Sequence, residues 1–184
     1  MMEESHPNEG SASGWKAYLK SLRRANGEGG RSERINAIAS GLILDAGIIV
    51  SIADLVFIQR MSYHFDLVTV AGLAFLSAGL GLRVLATRTL GRYFSPAVRV
   101  LPEHRLVKSG VYRLVRNPIY LGTLLAFFSV PLLFHSLFGL LVMALKVPFT
   151  VYRIRVEERA LLAKFGDEFR EYMKTSKRLI PYVY

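Results

Sequence analysis

Between two apolar runs of this chain lies a segment dense in groups able to hold a ligand: Glu103-His104-Arg105-Leu106-Val107-Lys108-Ser109-Gly110-Val111-Tyr112-Arg113-Leu114-Val115-Arg116-Asn117-Pro118-Ile119-Tyr120-Leu121-Gly122. Guanidinium groups, an imidazole and two phenols, punctuated by Gly and Pro, suit an anionic or aromatic ligand. The arginine fork matches carboxylate and phosphate geometry, and a phenol offers both a ring face and a hydrogen bond. Downstream, Arg153 and Glu157 stand four residues apart and so share one face of a helix. Taken singly, each group has an ordinary explanation. His104 reads as a loop residue, Arg153 with Glu157 as an ion pair one turn apart, Tyr112 and Tyr120 as interfacial belt residues, and the arginines as topology markers. Their joint spacing is what argues for a site. The chain has no cysteine, so disulfides, a Cys-ligated metal and a Cys nucleophile are excluded.

The elements that must position these groups are apolar. Of 184 residues, 52% are hydrophobic, and they fall in long runs that a chain of this length cannot hide in a soluble core. Residues 35–58 would extend about 36 Å as a helix, enough to cross a hydrocarbon core of about 30 Å. Residues 67–86 form a second span in which Gly72, Ala74, Ala78, Gly79 and Gly81 permit close helix contact. Residues 119–134 and 137–152 form two shorter runs parted by His135-Ser136, with Pro131 and Pro148 placed to kink them. Residues 153–174 read as an amphipathic helix broken at Gly166-Asp167. The expectation is an all-α integral membrane protein: about four transmembrane helices as two hairpins, plus a C-terminal amphipathic helix, with the ligand pocket at the cytoplasmic side. Three regions follow: a polar tail over 1–34, a helical hairpin over 35–86, and a region over 87–184 that carries the candidate site, the second helical hairpin and the C-terminal amphipathic helix.

Charge sets the expected orientation. Lys and Arg number 24 against 14 Asp and Glu, a net charge of +10. They gather in the tail, in residues 87–117 and in the C-terminal region, while the turns at 59–66 and 135–136 hold only Arg60 between them. By the positive-inside rule both termini face the cytoplasm, which makes the basic residues a membrane-surface feature rather than a nucleic-acid stripe.

The pattern His-x-Leu-Val-x-x-Gly-x-Tyr-x-x-x-Arg-x-Pro-x-Tyr-x-Gly resembles the isoprenylcysteine carboxyl methyltransferases and the related phospholipid methyltransferases. The resemblance continues after a helical hairpin with Arg-x-x-x-Glu-Glu-x-x-Leu-x-x-x-Phe-Gly-x-x-(Phe/Tyr)-x-x-Tyr, covering roughly residues 90–181. It implies S-adenosylmethionine as cofactor, held by His104, Arg105, Leu106, Val107, Tyr112, Asn117, Pro118, Ile119, Tyr120 and Glu157, with no metal. It also implies a lipophilic or lipidated acceptor entering from the bilayer, with Arg153 orienting its carboxylate. Such a nucleophile is already ionised at neutral pH, so positioning does most of the work. One departure stands out: the family's carboxyl methyltransferases usually carry His where this chain has Asn117, and Asn cannot titrate.

The acceptor's identity is left open. A phospholipid amine methyltransferase, an NADPH-dependent membrane reductase on a similar scaffold and a non-catalytic lipid-binding membrane protein are the competing readings. Asp45 and Asp54, nine residues apart on the first span, point about 180° away from each other on an ideal helix and are left outside the site.

Overall fold

The computed structural model describes residues 34–60, 63–91 and 106–180, and every regular element among them is helical. By contacts the chain divides into a unit over Met1–Ala39, of which 34–39 are described, and a unit over Ser40–Tyr184. The helices are α1 (Arg34–Ile58), α2 (Leu67–Leu90), α3 (Pro118–Leu133), α4 (Leu137–Ala144), α5 (Lys146–Phe165) and α6 (Asp167–Thr175). A 3-10 turn, Gly110–Arg113, precedes α3.

Among the described residues three stretches are long and apolar enough to cross a membrane: α1, α2, and the run Leu137–Phe165 formed by α4 and α5. Helix α3 is apolar but shorter. Their outward side chains suit lipid, with Phe57, Leu67, Leu80 and Leu137 all exposed. The protein is therefore an integral membrane protein.

Two expectations about these elements change. The fourth apolar run does not end at Tyr152 but continues helically to Phe165, so Arg153 and Glu157 sit inside a long helix rather than at the start of a new one. Besides the expected break at Gly166-Asp167, a further one falls at Leu145. Pro148 has no N–H to bond the Ala144 carbonyl and its ring crowds that oxygen, so the ladder resets just before it, and Pro148 itself sits harmlessly in the first turn of α5.

Small residues bring the helices together. A Cβ added at Gly79 would lie 2.7 Å from the Gly122 carbonyl oxygen and 2.7 Å from the Ala126 nitrogen, so α2 and α3 touch backbone to backbone. One side of α1 meets α4 through side chains seated on glycines: a Cβ at Gly47 would strike the Met143 side chain, and one at Gly139 would strike the Ser51 hydroxyl. Helix α1 thus makes a tight contact with α4, and α2 with α3.

At the end of the bundle away from the arginine-rich segment, Asp66 caps α2 by accepting from Val68 N (2.9 Å) and Thr69 N (3.1 Å). Its carboxylate also meets His135 Nε2 at 2.8 Å, which holds it below the usual carboxylate range. Gln59 donates to the Phe134 and His135 carbonyls at 3.0 and 3.2 Å. At the opposite end α5 stops at Gly166, whose φ of +51° favours a residue without Cβ. Helix α6 follows, burying Phe169 and Tyr172.

Candidate functional site

The start of α3 and the middle of α5 run side by side, and they carry two distinct polar constellations. In the first, Arg153 Nε donates to the Tyr120 hydroxyl at 2.8 Å, and that hydroxyl donates to Glu157 Oε1. Arg153 and Glu157 are also 3.6 Å apart directly, each side chain about one-quarter exposed. The phenol is a bridge: it accepts from the cation and donates to the anion, which fixes both side chains at once.

The second constellation centres on Glu158, one residue on and rotated about 100° around α5. Its carboxylate is buried, and it accepts from Arg116 Nε (2.6 Å), Asn117 Nδ2 (3.2 Å) and Arg178 Nε (2.8 Å). Arg116 also donates to the Ser176 carbonyl at 2.5 Å and Asn117 to the Arg178 carbonyl at 2.9 Å. The segment after α6 is thereby tied to the segment before α3, and backbone bonds between Arg116 N and Lys177 O (2.9 Å) and between Lys177 N and Leu114 O (3.0 Å) complete the tie. Removing one partner from so buried an ion group costs roughly 3–5 kcal/mol, because the remaining charges are left without compensation.

Tyr112, in the 3-10 turn, is buried, and its carbonyl accepts from the Tyr172 hydroxyl at 2.6 Å. The Tyr112 hydroxyl has no hydrogen-bond partner among the described residues, and burial first, then the nearby Tyr172 and Glu157, push its pKa well above the ordinary phenol value. Burial likewise pushes Tyr172 up to about 12. An orphaned buried hydroxyl beside a carboxylate is what a polar ligand's hydroxyl and amino groups could satisfy.

Of the residues singled out in the sequence, Tyr120, Arg153 and Glu157 meet, with Tyr112 close by. Leu106 and Val107 are half-buried, and Pro118 and Ile119 open α3. Asn117 is drawn to Glu158 instead of Glu157. His104 and Arg105 lie outside the described residues. Glu158, Arg116 and Arg178 are the additions. The Glu-Glu and Arg-x-Pro signatures contain two of them, but nothing in the chain says that those two meet across 42 positions.

Lys146 is a further addition. It lies deep in an apolar span, is 9% exposed, and faces the Phe127 ring at 5.2 Å. Placing a lysine at the centre of a spanning helix costs about 2.5–3.5 kcal/mol, whereas a ring face returns about 0.5–2 kcal/mol.

A family model for the isoprenylcysteine carboxyl methyltransferases matches residues 70–163. The chain belongs to that family. It is 30% identical over 135 residues to protein-S-isoprenylcysteine O-methyltransferase B of Arabidopsis thaliana, covering 72% of this chain and 68% of the relative. It is 35% identical over 120 residues to the protein-S-isoprenylcysteine O-methyltransferase of Saccharomyces cerevisiae, covering 64% and 50%. A shorter match of 39% identity over 74 residues, 39% of this chain and 25% of the relative, is to methanethiol S-methyltransferase 1 of Bradyrhizobium diazoefficiens. Among solved structures, the eukaryotic intramembrane Ras methyltransferase ICMT shares the fold with a TM-score of 0.63 at 24% identity, over 83% of this chain and 53% of that one. This chain thus spans about half the length of that structure and of the yeast relative.

Proposed function

We propose that this protein transfers a methyl group from S-adenosylmethionine to the carboxylate of a lipophilic acceptor, of the isoprenylcysteine kind, at the cytoplasmic edge of the membrane. The observation that carries this reading is the Arg153–Tyr120–Glu157 bridge on α3 and α5, within the stretch that matches the family model.

The bound cofactor supplies an electrophilic methyl on a sulfonium, whose sulfur keeps the bonding pair as the methyl leaves. The protein's part is orientation. Arg153 holds the acceptor carboxylate, and the Tyr120 hydroxyl fixes the plane of its guanidinium. Glu157 and the Tyr112 hydroxyl would hold the cofactor through its ribose hydroxyls and amino group. With the carboxylate already ionised, the ester forms without a base, which agrees with a chain that carries Asn117 at the family's His position. The short match to a methanethiol methyltransferase favours a second reading, a thiol acceptor, for which the Tyr120–Glu157 pair would have to take the proton.

The test is transfer of a labelled methyl group to a panel of lipophilic acids, thiols and amines that includes prenylcysteine analogues. Acids are expected to be methylated, and Arg153→Lys is expected to depress that transfer while affinity for S-adenosylhomocysteine stays near the parent's. Transfer to thiols alone, or binding of NADPH in place of S-adenosylhomocysteine, would overturn the reading. Both termini are proposed to face the cytoplasm; surface labelling of a terminal tag on intact cells would reverse that orientation.

A further inference from the structure

We infer that the outward face of α5 carries a docking site for an anionic phospholipid, with Arg155 and Arg159 taking the headgroup phosphate and Tyr152 lying beneath them at the edge of the hydrocarbon. The site is on the side of α5 turned away from the Arg153–Tyr120–Glu157 bridge, and it stands or falls independently of the methyl-transfer reading.

The exposed residues of α5 are Pro148, Tyr152, Arg155, Arg159 and Ala163. At about 100° per residue these five fall within an arc of about 80°, while Arg153 and Glu157 turn to the opposite side. Leu141 and Leu145, exposed just before α5, lead into the stripe. It passes in order from apolar side chains, through a phenol, to two guanidinium groups. A lipid presents the complementary order along the membrane normal: acyl chain, interfacial esters, phosphate.

Depth along the helices agrees with that reading. Asp66 and His135, at the starts of α2 and of the α4–α5 run, meet at 2.8 Å, so the two spans begin from one level. At 1.5 Å per residue Tyr152 lies about 22 Å beyond Leu137, Arg155 about 27 Å and Arg159 about 33 Å, against a hydrocarbon core of about 30 Å. The two arginines straddle the boundary where phosphates lie. Arg88 of α2, also exposed, reaches the same level at about 31 Å from Leu67.

Charge balance supplies the third argument. Cations around α6 are neutralised by the protein itself: Lys108 pairs with Glu168, Arg170 with Asp167 and Lys174 with Glu171. Arg155 and Arg159 have no ion pair and no hydrogen-bond acceptor among the described residues. One turn apart, their Cβ atoms are about 5–6 Å from each other, so the bare pair repels, and an anion held between the two forks turns that repulsion into attraction. A soluble anion would leave the Pro148–Tyr152 end of the stripe unused. A phospholipid covers both ends at once.

The experiment holds the full chain in micelles of an uncharged detergent and titrates in phosphatidylglycerol or phosphatidylcholine, counting bound lipid by native mass spectrometry and following the unfolding midpoint. The parent is expected to retain phosphatidylglycerol selectively and to gain stability with it. The double variant Arg155→Gln, Arg159→Gln is expected to bind it about 25-fold more weakly, about fivefold for each guanidinium, and to lose the midpoint rise while keeping the parent's midpoint in lipid-free detergent. The double variant Arg170→Gln, Lys174→Gln removes the same charge from α6 and is expected to bind like the parent. Equal losses in the two double variants would reduce the effect to net charge and overturn the site, and so would equal retention of the two lipids by the parent. Glycerol phosphate, a headgroup without tails, is expected not to displace the lipid at equal concentration; displacement would make this a soluble-phosphate site and overturn the membrane docking. Should the double variant fail to fold, Arg155→Gln and Arg159→Gln singly, each with its fivefold loss, carry the same comparison.

Discussion

Glu157 and Glu158 are neighbours in the chain, identical in type and on one helix, yet they belong to different parts of the molecule's chemistry. Glu158 is buried beneath two guanidinium groups and an amide, and every donor around it comes from a segment that must be held in place: Arg116 and Asn117 before α3, Arg178 after α6. Glu157, about one-quarter exposed, shares a phenol with Arg153 and borders the orphaned hydroxyl of Tyr112. A rotation of about 100° along α5 separates a carboxylate that ties two segments together from one proposed to face the ligand. Two acids side by side in a motif therefore need not share a task.

The most severe test of this contrast is Glu158→Ala. Leaving Arg116 buried without its anion is expected to lower stability by roughly 3–5 kcal/mol, read as a fall in the unfolding midpoint in detergent with loss of cofactor binding as a consequence. A variant as stable as the parent that has merely lost cofactor affinity would exchange the roles of the two acids.

Glu157→Ala should do the reverse, keeping the midpoint near the parent's while weakening S-adenosylhomocysteine binding by about 1.5–3 kcal/mol, roughly 10- to 150-fold. Unchanged affinity would take Glu157 out of the site. Smaller still is Tyr120→Phe, which removes the bridge and leaves the ring. A loss of about 0.5–1.5 kcal/mol, some 2- to 13-fold in turnover, is expected, and it should shrink when Arg153 is already Lys if the phenol acts through the guanidinium.

The effect confined to alkaline conditions is a pH dependence of the clamp around α6. The Tyr172 pKa rises from 10.0 to about 12 on folding, so the folded state holds its proton where the unfolded chain has lost it. This contribution to stability is present below pH 10 and lost as pH rises through about 12. Tyr172→Phe should flatten that part of the stability profile, and an unaltered profile would place the alkaline sensitivity elsewhere.

Much of the architecture was legible before any coordinates. Long apolar runs can only be membrane helices in a chain of this size, and the glycines of the second run announced a helix that must approach another closely, as Gly79 does at Gly122. Gly166-Asp167 marked the end of α5 because a positive φ favours residues without a Cβ. The bounds of the fourth run were misread because hydropathy falls off at Arg153 while helical hydrogen bonding does not. Charged side chains on the inner face are tolerated there by partners that a hydropathy profile does not contain.

What the sequence by itself determined was the membrane class, the family and the residue types of the site, since these depend on composition and on spacing along the chain. The tertiary structure alone decided which groups meet. Tyr120 reaches Arg153 and Glu157 across 33 and 37 positions, Arg116 and Asn117 reach Glu158 across 42 and 41, and Lys146 is left facing a ring. Local periodicity specifies the face a side chain occupies on its own helix. The register of one helix against another is set by packing, here by the glycine contact between α2 and α3 and by the ladder reset ahead of Pro148, and that register turns a row of polar residues into a site.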